Sequence, residues 1–550
     1  MEVLRAVTIS LFPVGASTTL VYAHHARSAH LLPSALADLL SRCQAFASLA
    51  DHARQRCREL RLADAQAESV TSQLATLAAS GLLISRRELL DRCVARSTVD
   101  APPPIASVGV LTRDRVESLQ RALVSYVENS RRHTRANDFI VVDDSERADA
   151  RSRTRAMLKA VQSHHDAPIS YASREEKEQL ARALIDETHL PVDVVRFALF
   201  GDDACGSTIG ANRNALLLAT AGDMVFSADD DTVCRVARAA DSRDALALVS
   251  GADPTEFRLY PDRDAAARSA SHVDTDLLAV HERLLGRSLA SCVAAAREAG
   301  EPDLDQMGPR LFQSLESGDG RVLVTMNGLV GDSGMGSPRY FLALQGPSRE
   351  RLVASEAAYT AAFESRAVVR AARRPTICDA PFCMTGFVGL DARGLLPPFF
   401  PVQRNSDGIF ALTLRTCFAD GYFGFLPWTL LHAPAEKRSF TADDLWRKSE
   451  GLRTADVLLA CIGACEAGSA TLSDGERLRG LGRRLTALGS LEPGEFEEFL
   501  RLQLWRRAAA YAAALETLLR VHGESPRFWA DDVKRTLDTL RVYAGAAHPH

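Results

Sequence analysis

Three consecutive aspartates, Asp229, Asp230 and Asp231, follow a short apolar segment of the chain. Carboxylates packed this closely repel one another unless a cation lies between them. Hard divalent ions such as Mg²⁺ and Mn²⁺ prefer oxygen ligands and commonly share their coordination shell with substrate phosphates. The triplet therefore predicts a divalent-metal site. The alternative is a solvated acidic turn or a helix N-terminus, where the helix dipole favours Asp.

Around this triplet, the sequence shows an alternating pattern of strand and helix signals. Residues 107–111, 139–142 and 224–226 are apolar runs typical of buried strands, and a helical face separates the first two. This order predicts a doubly wound α/β sheet, in which ligands bind at the carboxyl ends of the strands. We expect a helical stretch after the triplet. The polar side chains that follow the first two strands are Thr112, Arg115, Asp143 and Asp144.

A glycine-punctuated segment precedes the triplet strand. We expect Asn212, Arg213 and Asn214 to lie in its loop, and residues 216–221 to form a helix that ends at Gly222. Arg213 taken alone could equally form a surface ion pair.

The outer parts of the chain differ from this α/β pattern. Residues 1–100 predict a small α+β domain, residues 101–104 a stiff proline-rich linker, residues 105–436 the α/β domain and residues 437–550 a helical C-terminal region. The order of elements in the first domain resembles the PqqD-like peptide-recognition domains, which bind precursor peptides for peptide-modifying enzymes. A winged-helix-like or capping domain is an equally good interpretation.

Composition limits the classes of function. A net charge of -5 over 550 residues gives no electrostatic basis for binding nucleic acid. The eleven Cys are scattered and predict neither a disulfide framework nor a structural zinc, so we expect reduced thiols and a cytoplasmic protein. Val7 to Ala23 predicts a β-hairpin, and we expect no transmembrane segment.

The ordered motifs resemble those of a GT-A fold glycosyltransferase of the broad family 2 type. The resemblance spans about 330 residues and implies a doubly wound, mostly parallel sheet. The matching pieces are Thr112 to Arg115, Val142 to Ser145, Asn212 to Asn214, the Asp triplet, Pro397 to Pro401 with the following Arg404 to Asp407, and His432.

The resemblance implies a role for each motif on the donor side. Asp231 binds the metal, Mn²⁺ or Mg²⁺, while Asp229 contacts it through water or binds the ribose. His432 completes the metal shell, although a lone histidine is more often a core or loop residue. Arg213 would bind the diphosphate. The resemblance also implies nucleotide-sugar contacts for Thr112, Arg115, Asp143, Asp144 and Asp230.

On the acceptor side, the resemblance implies that Asp407 is the general base. The family has an acidic pair at this position, and here Ser406 replaces its first member. The alternative role for Asp407 is to cap a helix beginning near Gly408.

The sequence thus predicts a metal-dependent glycosyltransferase of hexosyltransferase type. We expect a nucleotide-sugar donor, in the first instance a UDP-sugar, an unidentified acceptor and inversion of configuration. A ribosomally made peptide is a candidate acceptor if residues 1–100 recognise peptides. Two alternatives remain. One is a nucleotidyltransferase, but the sequence has no glycine-rich loop with a following Arg or Lys near the first strand. The other is a scaffold that binds peptides or nucleotide sugars without catalysis.

Overall fold

The computed structural model describes residues 2–61, 63, 66–97, 102–202, 204–205, 207–441, 444–445, 453–465 and 472–545. For residues 542–545 it describes the backbone only. The end of the predicted first domain at 98–100, Ala101 of the predicted linker and several parts of the predicted C-terminal region lie outside the described residues.

The N-terminal region is α+β, as its pattern predicts. The hairpin expected between Val7 and Ala23 is present as an antiparallel pair of strands, which a third strand extends into a small sheet. The elements are β1 (Leu4–Ala6), β2 (Ile9–Pro13), β3 (Thr18–Ala23), β4 (Ser28–Pro33), α1 (Ser34–Ser41), α2 (Leu49–Leu60), α3 (Ala67–Ala79), β5 (Leu83–Ser85) and α4 (Arg86–Arg96).

A parallel four-stranded unit forms the next part of the chain. Its elements are β6 (Ser107–Thr112), α5 (Val116–Arg132), β7 (Asp138–Asp143), α6 (Ala148–His165), β8 (Ile169–Ala172), α7 (Arg174–Thr188), α8 (Val192–Phe200), α9 (Ile209–Ala219) and β9 (Met224–Asp229). The strands lie in the order β8, β7, β6, β9, and all three pairings are parallel. The order reverses between β6 and β9, which is where an α/β sheet forms a ligand crevice.

The sheet continues beyond β9 with both parallel and antiparallel pairings, so the whole fold is a mixed α/β sheet with many helices. The remaining elements of this part are β10 (Thr232–Arg238), β11 (Ala247–Val249), β12 (Thr255–Leu259), α10 (Arg263–Ser269), α11 (Leu277–Glu282), α12 (Leu289–Ala299), β13 (Asp303–Gln306), α13 (Pro309–Ser317), β14 (Arg321–Asp332), α14 (Gly346–Leu352), α15 (Glu356–Glu364), β15 (Ala367–Ala372), β16 (Thr376–Cys378), β17 (Phe387–Asp391), α16 (Ser406–Cys417) and β18 (Gly421–His432). A 3-10 helix spans Pro338–Ala343.

Two local predictions around the triplet are wrong. The segment after the triplet is strand β10, not a helix, because it pairs antiparallel with β18 and places Val233 and Val236 in the interior. Arg213 and its neighbours lie within α9, not in a loop, because that helix begins at Ile209.

The C-terminal region is helical where the structure describes it. Its helices are α17 (Thr454–Gly463), α18 (Asp474–Gly489), α19 (Pro493–Val521) and α20 (Arg527–Gly545). Leu515 and Leu518 of α19 and Trp529 of α20 are buried in a core cluster that also contains Phe341 and Leu342 of the 3-10 helix. These two leucines of α19 therefore contribute to the core of the same chain.

The N-terminal region shares its hydrophobic core with the larger sheet. Leu77 and Leu89 belong to the same buried cluster as Leu289, Leu315 and Tyr422. The buried guanidinium of Arg5 also crosses between the two parts, donating to the carbonyl of Met307 over 2.7 Å. Experiments on this region therefore require the full chain, and the predicted domain boundaries stay predictions.

No helix among the described residues is long and apolar enough to span a lipid bilayer. All eleven cysteines are free thiols.

Candidate active site

A cavity of about 810 Å³ lies at the carboxyl ends of β6 and β9, where the strand order reverses. Nine of the ten side chains that the sequence nominates line this cavity, although they come from six separate segments of the chain. They are Thr112, Arg115, Asp144, Arg213, Asp229, Asp230, Asp231, Asp407 and His432.

Asp143 is the nominated residue that the structure keeps away from the cavity. Its carboxylate is fully buried and accepts hydrogen bonds from the hydroxyl of Tyr171 at 2.7 Å and from the backbone N–H of Ser145 at 2.8 Å. The hydroxyl of Ser145 donates at 2.5 Å to Oδ1 of Asp143, the oxygen that also accepts from the Ser145 N–H. Asp143 therefore shapes the turn after β7, and its carboxylate does not line the cavity.

Asp229 is the last residue of β9, and its carboxylate is paired with Arg213. Nη2 of Arg213 lies 2.7 Å from Oδ1 of Asp229, and the arginine side chain is only 4% exposed. Burial raises the pKa of Asp229, the Arg213 guanidinium lowers it, and the negative charges of Asp231 and Asp407 raise it further. Arg213 is thus a neutralising partner of the triplet in this structure.

Asp230 is held by the end of β6 and by the loop that follows it. The hydroxyl of Thr112 donates to its carboxylate over 2.8 Å, and Nη1 of Arg115 donates over 3.2 Å. Burial and the neighbouring charge of Asp231 nevertheless raise the pKa of Asp230 to about 7, because Arg115 and Thr112 compensate only in part. The triplet is therefore an electrostatically crowded site that a cation would stabilise.

Asp231 faces His432 at the end of β18. Nε2 of His432 lies 3.4 Å from Oδ1 of Asp231. Its other ring nitrogen, Nδ1, is hydrogen-bonded to the carbonyl of Asp332, which can only accept, so Nδ1 carries a proton and Nε2 points towards the carboxylate. Burial alone would lower the pKa of His432, but Asp231 raises it above its ordinary value.

Within the described residues, no three His, Cys, Asp or Glu side chains are grouped so that they could hold a metal ion by themselves. Asp231 and His432 offer one oxygen and one nitrogen donor, with Asp229 nearby but bound to Arg213. Such a donor set fits Mg²⁺ or Mn²⁺ only when phosphate oxygens and water complete the shell, which is how Mg²⁺ is usually held at phosphate sites.

Asp407 lies in the first turn of α16, and the N-cap position belongs to Asn405 instead. The backbone N–H of Gly408 donates to one carboxylate oxygen of Asp407 over 3.0 Å. Burial raises the pKa of Asp407, which makes its carboxylate a stronger base than an ordinary aspartate. The alternative role as helix cap is therefore not the one that the structure gives to Asp407.

Helix α9 is fastened to the proline-rich segment before α16, which brings Arg213 towards Asp407. The side chain of Asn214 binds both the N–H and the carbonyl of Phe399 at 2.8 and 2.9 Å. A Cβ on Gly210 would lie 1.9 Å from the carbonyl oxygen of Phe400, so only glycine permits this approach.

Sequence reasoning missed Lys177, whose side chain is 1% exposed and binds Asp144 at the cavity wall. The signal available in the sequence is weak. Lys177 precedes Ala181 by four residues on α7, so it lies on the stripe that faces the interior.

Three further arginines line the cavity, and the sequence predicts no role for them apart from the position of Arg404 in its motif. Arg404 precedes α16, Arg438 follows β18 and Arg453 precedes α17.

Comparison with known proteins does not identify a family for this chain. No family model matches the chain, and no curated protein matches it. Among solved structures, it is similar to the mannosyltransferase PcManGT from Pyrobaculum calidifontis in complex with GDP-Man and Mn²⁺, at 13% identity over 84% of this chain and 93% of that chain. The TM-score of 0.24 is too low for this similarity to carry an argument about fold or function.

Proposed function

We propose that the protein is a metal-dependent glycosyltransferase that moves a sugar from a nucleotide-sugar donor to an acceptor hydroxyl with inversion of configuration. The observation that carries the proposal is the meeting, in one cavity, of the Asp triplet, His432 and Asp407. An acidic, histidine-flanked wall at the switch point of the sheet suits a diphosphate with its cation. A separate carboxylate of raised pKa suits a general base.

The donor would bind with its diphosphate at the triplet. Asp231 and His432 would hold a divalent ion there, which supplies Lewis-acid stabilisation of the departing nucleoside diphosphate. Arg115 supports the same wall by pairing with both Asp230 and Asp231, at 3.2 and 3.5 Å. The pairing of Arg213 with Asp229 favours a positioning role for Arg213 over a direct contact with the diphosphate.

Asp407 would act on the acceptor. Its carboxylate takes the proton of the acceptor hydroxyl as that oxygen forms a bond to the anomeric carbon. The bond between the anomeric carbon and the diphosphate oxygen breaks in the same step, and the nucleoside diphosphate leaves with the electron pair. A base on the face opposite the leaving group gives inversion.

A peptide acceptor is the expectation attached to residues 1–100. The exposed apolar side chains of Phe12 and Leu31 support it, because both pair with Leu20 and so lie on one face of the small sheet of β2, β3 and β4, where an extended peptide could pack against them. Titrating candidate precursor peptides against the full chain tests this part, and absence of saturable binding argues against it.

The decisive experiment measures release of nucleoside diphosphate from a panel of UDP-, GDP-, ADP- and CDP-sugars with Mn²⁺ or Mg²⁺. We expect release that depends on the metal and is lost in Asp231→Ala. Donor binding without release under all conditions would favour a non-catalytic scaffold. Release of pyrophosphate from a nucleoside triphosphate and a sugar phosphate would favour a nucleotidyltransferase.

A further inference from the structure

Lys177 is a buried lysine whose three ammonium protons are all used at the edge of the cavity. Nζ donates to Oδ1 of Asp144 at 2.7 Å, to Oδ1 of Asn212 at 2.9 Å and to the carbonyl of Leu199 at 3.3 Å. The lysine thereby joins α7, the end of β7, the end of α8 and the start of α9. No donor of the ammonium group is left for a ligand.

Both side chains that Lys177 orients line the cavity, whereas Lys177 itself does not. The amide nitrogen of Asn212 lies 3.4 Å from the carbonyl of Thr112 and 3.5 Å from that of Val142, at the carboxyl ends of β6 and β7. A buried ion pair is seldom more stabilising than an apolar pair of the same volume, because both charges lose their hydration. Its position at the ligand-binding edge of the sheet is therefore better explained by recognition than by stability.

The hydrogen bonds that Asp144 can still accept indicate which ligand groups it can recognise. A carboxylate accepts about four hydrogen bonds. Lys177 occupies one position on Oδ1, and the hydroxyl of Thr208 donates to Oδ2, which leaves further lone pairs on the cavity side. A fixed carboxylate with free lone pairs binds N–H donors and repels ring nitrogens that only accept.

We propose that Lys177 is a positioning residue that holds Asp144 ready to read the N–H edge of a nucleobase, favouring guanine or uracil over adenine or cytosine. Guanine offers two neighbouring N–H groups and uracil one imino N–H, whereas adenine and cytosine place an acceptor nitrogen beside their amino group. The inference rests on the proposed binding of a nucleotide donor, and it adds Lys177 as the residue that orients the carboxylate of Asp144 towards the base.

The test compares dissociation constants for GDP, UDP, ADP and CDP in the presence of Mn²⁺, measured calorimetrically on the full chain. For the parent protein, we expect GDP or UDP to bind at least about 10-fold more tightly than ADP and CDP, as expected for hydrogen bonds to a charged group. In Lys177→Met, we expect the preferred nucleotide to lose about 10-fold in affinity and the four constants to fall within about threefold of one another.

Two further variants separate positioning from general damage. Arg135→Met removes a partly buried cation bound to Asp276 and Glu282 at the opposite end of the sheet, so it should lower stability without changing the ranking of the bases. Thr208→Val removes the second hydrogen bond to Asp144, and Thr208→Ser retains it. We expect Thr208→Val to weaken discrimination and Thr208→Ser to preserve it, which provides the test if Lys177→Met does not fold.

The possible failures are distinguishable. If the parent protein binds none of the four nucleotides, the proposed function fails. If it binds them but without preference, or if Lys177→Met keeps the parent ranking and ratio, the role of Lys177 is wrong while the proposed function stands. Where Lys177→Met does not fold, an unchanged ranking and ratio in Thr208→Val leads to the same conclusion.

Discussion

The guanidinium of Arg213 lies 2.7 Å from the carboxylate of Asp229, although one residue belongs to α9 and the other ends β9. The pair fixes the first member of the Asp triplet and places a positive charge at the inner side of the cavity. The same charge acts on Asp407: burial raises the pKa of Asp407, and the guanidinium of Arg213 lowers it. One arginine thus lies between the predicted donor and acceptor carboxylates.

Arg213→Met leaves Asp229 buried without its cation. We expect the free energy of unfolding to fall by about 3 kcal/mol, since breaking a buried ion pair leaves an uncompensated charge. Urea denaturation at pH 7.5 measures the change. Arg132→Met provides the control, because Arg132 and Asp274 form an exposed pair whose loss should cost less than about 1 kcal/mol. Equal effects of the two substitutions would contradict the structural role of Arg213.

The raised pKa of Asp230, about 7, makes stability depend on pH. Between pH 4 and 7, roughly the range between the unfolded and folded pKa values, the folded state holds more protons than the unfolded chain. Stability in EDTA should therefore decrease as the pH rises through this window and become constant above it. The total is a few kcal/mol, because one pKa unit corresponds to about 1.4 kcal/mol.

Asp230→Asn should flatten this dependence, and added Mn²⁺ should reduce it in the parent protein. Denaturation curves at pH 5, 6, 7 and 8 provide the measurement. A parent protein whose stability rises over this range, with Asp230→Asn following the same curve, would show that the carboxylate does not titrate as described.

His432 couples cation binding to protonation. Asp231 raises the pKa of His432, and a metal ligand must be the neutral imidazole. Affinity for Mn²⁺ should therefore fall as the pH drops below that raised pKa, by up to about 10-fold per pH unit for one displaced proton. Titrations followed by electron paramagnetic resonance at pH 6 and pH 8 measure it. In His432→Ala we expect weaker binding with less dependence on pH; an unchanged affinity would remove His432 from the metal site.

Asp407→Asn should lower kcat by about 10² to 10⁴ if Asp407 takes the acceptor proton. The dissociation constant for nucleoside diphosphate should stay unchanged, because the substitution is nearly isosteric and removes a group assigned to the acceptor. In the parent enzyme the acidic limb of the kcat profile should lie above the ordinary carboxyl range, because burial raises the pKa of Asp407. Sugar transfer at the parent rate by Asp407→Asn would contradict the assignment of Asp407 as the general base.

Gly210→Ala should disrupt the docking of α9 on the proline-rich segment. The new Cβ would lie 1.9 Å from the Phe400 carbonyl oxygen, and that backbone cannot move without displacing the turn before α16. We expect a lower melting temperature and weaker donor binding. Gly482→Ala is the matched control: Gly482 lies within α18 with no atom within 4 Å of its Cβ position, so alanine there should stabilise the helix by about 0.5 to 1 kcal/mol.

The pattern of residue types was enough to predict the parallel part of the sheet and the polar residues at its edge. Apolar runs at β6, β7 and β9 that are separated by helical segments favour a parallel arrangement, so Thr112, Asp144 and Asp229 are expected at strand ends that share one edge of the sheet. The spacing therefore placed most of the candidate site before any contact was known.

Tertiary contacts determine which of two adjacent aspartates reaches the cavity. Asp143 and Asp144 are equivalent by composition, but the hydroxyls of Tyr171 and Ser145 draw the first carboxylate inward while the second stays at the wall. The strand after the triplet and the burial of Lys177 were likewise decided by distant partners, β18 and Asn212. Local patterns carry no information about such pairings, because the stabilising atoms lie 35 to 200 residues away along the chain.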